Sequence, residues 1–247
     1  MNADARSAGM GSSFAVLSGN RIFVSNPAGL AALNSPTFAL MYGNFYGIKE
    51  LSTGAFSCGI PTKSGTFGFG FVASGFAAIT ENKATLSFGK AIGKNLRAGI
   101  GINWLNFNQP SDYQDLYAWI PALGIQWLGE KWIAGLSVIN PAAQEYNPKG
   151  YRNIPACIVT GLGFKPSDEF FMLFEAQKIS NEKIRYVLGI ETSLLKSLFL
   201  RFGITRQDYS SYSAGAGYVK RNLIFDAAVS HHPALGFSPA FTFNFAF

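Results

Sequence analysis

From Thr37 to Phe247 the sequence changes character at every second residue, in about fourteen short runs broken by turn residues. The last run holds Phe241, Phe243, Phe245 and Phe247, with Thr242, Asn244 and Ala246 between them. Others are Leu96-Ala98-Ile100-Ile102-Trp104, Phe67-Phe69-Phe71 and Ile184-Tyr186-Leu188-Ile190. A period of two belongs to a strand with two unlike faces. Here one face is large and apolar. A soluble sandwich would have to bury that face under a second sheet, whereas a membrane barrel turns it to lipid.

Composition separates the two. Charged residues make up 14% of the chain, well below the quarter or so of a typical soluble domain, while aromatics reach 15% and glycine counts 27. No stretch of about eighteen consecutive apolar residues is present, which excludes a transmembrane helix. Apolar, aromatic, glycine-rich and without such a helix is the composition of a membrane barrel. The expected fold is all-β: a transmembrane antiparallel β-barrel of about 14 strands over residues 37-247. Those 211 positions leave about five residues per connection after strands of about ten, which suits hairpins.

The connections fall into two alternating classes. The short ones carry Lys63, Lys94, Lys131, Lys165, Lys196 and Lys220 in or beside them. The more variable ones include Asn106 to Asp115 and Asn140 to Asn153. Bacterial barrels have short periplasmic turns and longer outer loops, so the C-terminus falls on the periplasmic side. The lysines supply much of the formal +6 charge. Spread over six separate turns they form no groove for nucleic acid, and they read as charges beside lipid headgroups. Met1-Asn2-Ala3-Asp4 has neither the basic start nor the apolar core of a signal peptide, so the chain is expected to be the mature form of an exported outer-membrane protein.

Parity turns Gly99, Gly101, Gly135, Gly161, Gly163, Gly189, Gly203, Gly215 and Gly217 inward, leaving room for something to approach the wall from inside. It also turns inward Arg97, Asn103 and Gln126, and a polar set of Glu175, Gln177, Arg185, Glu191, Arg201 and Asp226. Acids and bases on neighbouring strands imply one ion-pair network. They either pin a plug to the wall or line a selective pore, and the need of buried charges for partners favours the plug. Cys58 and Cys157 fall on opposite faces of distant strands and are expected as free thiols. His231 and His232 sit side by side in one outer loop, pointing oppositely. With no nucleophile elbow, zinc motif or nucleotide loop, no enzyme, metal or cofactor is expected.

The first 36 residues do not alternate. A barrel of this size is wider than side chains alone can fill, so residues 1-36 are expected to fold into the lumen as a plug. Asn26-Pro27 favours a turn and Gly29 permits a positive φ. The stretches ARSAGMG and SNPAGLAAL, through Ala5, Arg6, Gly9, Gly11 and Asn26-Pro27-Ala28-Gly29-Leu30, resemble the amino-terminal hatch of the FadL-type outer-membrane family. They are closest to its PorV/PorQ branch, associated with type IX secretion. That resemblance implies a fourteen-stranded barrel with a plugged lumen. It also implies one of two roles, carriage of fatty acids and other hydrophobic compounds or service as an outer-membrane partner in protein secretion. The alternating aromatics at the C-terminus resemble a barrel-insertion signal.

Two functions follow as expectations. In the first, the barrel is a non-enzymatic accessory subunit of a larger outer-membrane complex, offering its wall to lipid and to protein partners. Short loops and an interior mostly of glycine and charge favour it, since a hydrophobic ligand needs an apolar pocket. In the alternative, the barrel is a FadL-like passive transporter with a hydrophobic ligand.

Overall fold

A computed structural model describes residues 4–19, 26–76, 79–110, 112–147 and 153–247. Fourteen strands pair in sequence order: β1 (Thr37–Asn44), β2 (Ser52–Thr62), β3 (Gly65–Phe76), β4 (Ile79–Ile92) and β5 (Leu96–Asn108) lead into β6 (Leu116–Leu128) and β7 (Trp132–Ile139). The second half comprises β8 (Cys157–Phe164), β9 (Phe170–Ile179), β10 (Arg185–Leu195), β11 (Leu198–Arg206), β12 (Ser210–Lys220), β13 (Leu223–His232) and β14 (Gly236–Ala246). Each strand pairs antiparallel with the next, and β1 pairs with β14 to close the barrel. Closure leaves no free edge, so every strand finds its backbone partners on both sides.

The alternation of the sequence is the alternation of the wall. On β6, Tyr117, Trp119, Leu123, Ile125 and Trp127 stand exposed on the outside, while Ala118, Ile120, Ala122 and Gln126 are buried within. Outward rings meet across the strands: Phe67 and Phe88 at 4.9 Å between centroids, Trp132 and Phe164 at 4.5 Å. Such an exterior suits lipid. Phe241, Phe243 and Phe245 face outward on β14 at the closing seam, opposite Tyr42, Leu40 and Phe38 of β1. Phe247 lies one residue past β14, where its N–H donates to the Pro36 carbonyl at 2.9 Å.

One end of the barrel carries both the start of β1 and the end of β14, with connections of two to five residues. All six turn lysines lie there. The opposite end holds the longest connection, residues 140–156, of which 148–152 fall outside the described residues, as does Ser111 in the loop between β5 and β6. Both cysteines are free. His231 and His232 differ from expectation: they are the last residues of β13, not loop residues, because that strand pairs with β14 as far as Gly236.

The N-terminal residues form two short helices. Helix α1 (Ala5–Gly9) is capped by Asp4, whose side chain accepts from the Ser7 N–H at 2.9 Å. A 3-10 helix, Pro27–Ala32, begins with proline, which has no N–H to leave unpaired, and is capped by Asn26. Ala5, Ala8 and Gly9 are buried, and α1 packs on inward-facing Ala228 and Ala240 of β13 and β14. Ser25, part of the hatch-like stretch, lies outside the described residues.

Candidate functional site

The inward glycines make a seat for this segment. A Cβ on Gly203 would lie 2.2 Å from the Gly11 nitrogen, and one on Gly99 would lie 2.4 Å from the Pro27 carbonyl carbon. One on Gly124 would come within 2.0 Å of Asn26 Oδ1. Side chains at these positions would displace the segment, so the period-two glycines hold backbone against wall. Gly101, Gly161, Gly163 and Gly217 are different, for their nearest neighbours are wall side chains, Ser87, Glu175, Phe171 and Asp226. Gly11 also has a φ of +74°, open to glycine at no steric cost. Gly29 has no positive φ; it is small because Leu17 O passes 2.8 Å from where a Cβ would stand.

The six inward polar residues form two clusters instead of the single network expected. The first is an ion chain. Arg6 of α1 donates two hydrogen bonds to Glu191 of β10, with Nε to Oε2 at 2.6 Å. Arg201 of β11 donates to the same Glu191 Oε2 at 2.6 Å and to Asp226 Oδ1 of β13 at 2.7 Å. Arg201 and Asp226 are two strands apart, about 10 Å of backbone. Gly217 on the strand between them clears the way, since its Cβ would lie 2.5 Å from Asp226 Oδ1. Two cations and two anions alternate, so the chain is neutral as a whole, which is how buried charge is tolerated.

The second cluster cradles backbone. Glu175 of β9, fully buried, accepts from Phe14 N at 2.9 Å and Ala15 N at 2.7 Å, and from Gln177 Nε2 at 3.2 Å. Arg185 donates to Gln177 Oε1 at 3.2 Å and Gly11 O at 3.0 Å. The two clusters separate because Glu175 spends its lone pairs on N–H groups that the segment leaves unpaired. Charge-assisted bonds of this kind contribute about 1.5–3 kcal/mol each.

Other side chains complete the seat, two of them, Gln126 and Arg97, among the inward positions expected from parity. Thr242 Oγ1 accepts from Ala5 N at 2.8 Å, and Ser213 Oγ bridges Gly11 N and Gly9 O at 3.0 Å each. Gln126 Nε2 donates to Ala15 O at 2.9 Å and Leu17 O at 3.0 Å, and Arg97 reaches Ser18 Oγ at 3.1 Å. Asn26 acts mainly within the segment. Its amide donates to Ala15 O at 2.6 Å, and its oxygen accepts from Ala28 N at 3.1 Å, clasping the two N-terminal pieces together.

At the long-loop end a vestibule of about 660 Å³ opens above residues 8 to 12. Phe45, Tyr46, Tyr209, Tyr212, His231 and His232 border it, and Arg185 is at its floor. The His232 ring meets Tyr46 at 6.1 Å and Tyr209 at 5.8 Å, both edge-on. Tyr46 holds its place with a φ of +59° and an N–H bond to Ser238 Oγ at 2.9 Å. Both histidines border the cavity, yet their rings turn to different partners as expected of adjacent strand residues, His231 to Phe237 at 4.7 Å and His232 to Tyr46 and Tyr209. At the short-turn end a smaller recess of about 280 Å³ is lined by the apolar Val16, Leu17, Ile133, Phe171 and Phe199 and by the polar Arg6, Ser18, Lys165, Asp168, Glu169 and Glu191. The interior is thus more apolar than parity implies, because the segment brings apolar side chains of its own.

No known family model matches the sequence, and no curated protein matches it. Solved structures do match in fold. The toluene transporter TodX of Pseudomonas putida superposes with a TM-score of 0.74 at 13% identity, over 98% of this chain and 96% of that one. A TodX deltaS2S3 mutant, described as a monoaromatic hydrocarbon channel, gives 0.76 at 12% identity over 99% of both chains. A Pseudomonas aeruginosa FadL homologue gives 0.67 at 12% identity, over 98% of this chain and 97% of that one. The architecture is therefore that of the FadL-type outer-membrane barrels.

Proposed function

We propose that this chain is a FadL-like outer-membrane barrel that passes small hydrophobic molecules inward without an energy source. The vestibule carries the reading: an aromatic-bordered cavity of about 660 Å³ at the long-loop end, large enough for a small ligand. On this reading that end faces outward, residues 1-36 are the plug, and residues 37-247 are the membrane-spanning barrel. The Phe241 to Phe247 run serves as the insertion signal. Likeness of fold to hydrocarbon channels supports the same choice. To test it, intact Gram-negative cells making the protein would be mixed with the fluorescent hydrophobe N-phenyl-1-naphthylamine. Uptake faster than in cells without the protein is expected. An unchanged rate, with the barrel correctly inserted, would end the transporter reading.

A second reading keeps the barrel as an accessory subunit of an outer-membrane complex, such as the type IX secretion machinery served by the PorV branch. The short outer connections favour it, for the longest spans only residues 140–156. Gentle detergent extraction should then recover a stable protein complex; a lone barrel would count against it.

A further inference from the structure

The two cavities lie on opposite sides of the N-terminal segment, and one line of apolar side chains joins them. On β10 the inward residues run Arg185, Val187, Gly189, Glu191; the first borders the vestibule and the last the recess. Those six steps span about 20 Å of strand. Between them Met10, Val16, Leu17, Phe171, Leu173 and Val187 form one buried cluster, with Ile133 packed against it. Met10, Leu173 and Val187 are the members that line neither cavity, and of these only Met10 belongs to the N-terminal segment. It is fully buried, it follows α1, and its Cβ lies 2.9 Å from where a Cβ on Gly189 would stand. Its sequence neighbour Gly11 borders the vestibule, while Val16 and Leu17 of its own cluster border the recess.

Two other sides of the segment are held by stronger means. Toward β11, β12 and β13 the ion chain of Arg6, Glu191, Arg201 and Asp226 crosses the lumen. Toward β4, β5 and β6 the Pro27 turn is pressed on Gly89, Gly99 and Gly124. The wall itself is continuous: all neighbouring strands are paired, and the one register shift among them, between Ser193 and Leu195, is at the short-turn end.

We infer that a hydrophobic solute crosses along the β9–β10 side of the segment, from vestibule to recess, and that Met10 is the gate. This rests on the uptake reading above. A methionine suits the task. Its unbranched thioether has three rotatable bonds, so it fills the seam when the solute is absent and swings aside without disturbing backbone. Apolar walls on both sides let a hydrophobe pass without stripping a charge of its partner.

The test uses the full-length protein in intact cells with N-phenyl-1-naphthylamine as the probe. Three variants are compared with the native chain: Met10→Ala, Leu173→Ala from the wall side of the same seam, and Val72→Ala, inward on β3 away from it. Assembly of each is checked by its different gel migration before and after heating. Severalfold faster uptake is expected from both seam variants and a native rate from Val72→Ala. Leu173→Ala keeps the test decisive should Met10→Ala fail to assemble. Native uptake that no assembled seam variant alters would overturn the gate and leave the transporter reading standing. An equal gain from Val72→Ala would also overturn it, as a sign of general loosening. No uptake by the native protein would remove the transporter reading and the gate together.

Discussion

The two sides of the lumen hold the N-terminal segment in different ways. On the β9–β13 side the contacts are ionic: Arg6 shares Glu191 with Arg201, Arg201 reaches Asp226, and Glu175 gathers the N–H groups of Phe14 and Ala15. On the β4–β7 side they are mostly neutral: Pro27 and Asn26 rest on Gly99 and Gly124, Gln126 donates to two carbonyls, and Arg97 meets only the Ser18 hydroxyl. Ion pairs hold only while every member has its partner. Close glycine contacts hold only while the surface stays bare. The first kind is lost by subtraction and the second by addition.

The largest effect should come from removing both kinds at once. Deleting residues 1-36 is expected to turn a poorly conducting barrel into an open pore in planar bilayers. Equal conductance with and without the segment would show that neither side seals the lumen.

Next in size is a break in the ionic side. Arg201→Met leaves Asp226 buried without its cation, at a cost of about 3–5 kcal/mol, read from denaturant unfolding in detergent. Adding Asp226→Asn should recover part of the loss, because the stranded charge is gone. If the double variant is no better than the single, the cost lies in packing and not in charge.

A smaller loss is expected from addition on the neutral side. Gly124→Ala puts a methyl into the space of Asn26 Oδ1, and should cost about 1–3 kcal/mol with the ion chain undisturbed. N-phenyl-1-naphthylamine uptake should also be faster if that side seals. A silent Gly124→Ala would mean the Asn26 turn yields easily, and the two sides differ in strength as well as kind.

The smallest change lies outside both. Lys165 and Asp168 pair at 2.6 Å on a short turn, and the lysine holds the Asp168 carboxyl below its ordinary value of 3.8. A depressed carboxyl adds stability that is present above that ordinary value and fades as pH falls through the lower folded one. Asp168 is fully exposed, so Asp168→Asn should leave the unfolding midpoint unmoved at neutral pH. A clear drop would show that the turn carries more than a solvated pair.

What could be read from sequence follows the same division. Period two places each apolar run on the wall, and all fourteen runs coincide with strands, since one face must be apolar throughout. Buried Glu191, Arg201 and Asp226 were legible for the same reason: parity turns them inward. Their division from Glu175 was not, because a carboxylate that takes backbone N–H groups looks the same in sequence as one that takes arginine. Thr242 and Ser213 were also hidden, as ordinary residues in strands. The vestibule was least legible. Tyr46, Tyr209 and His232 stand at ends of distant strands, and only the closed barrel brings their rings together. Met10 gave no signal, being one apolar residue in a stretch without period.

The seam between β1 and β14 has a consequence in time. The Ala5 N–H meets Thr242, 237 positions later, just as β1 finds β14 across most of the chain. Contacts so remote in sequence offer nothing until both ends of the polypeptide are present, while the entropy of closing the ring is lost in full. A nascent chain therefore gains little from its first strands or its N-terminal helix alone. Sealing the cylinder and seating its occupant become the same late event, with the final strand as the one that commits both.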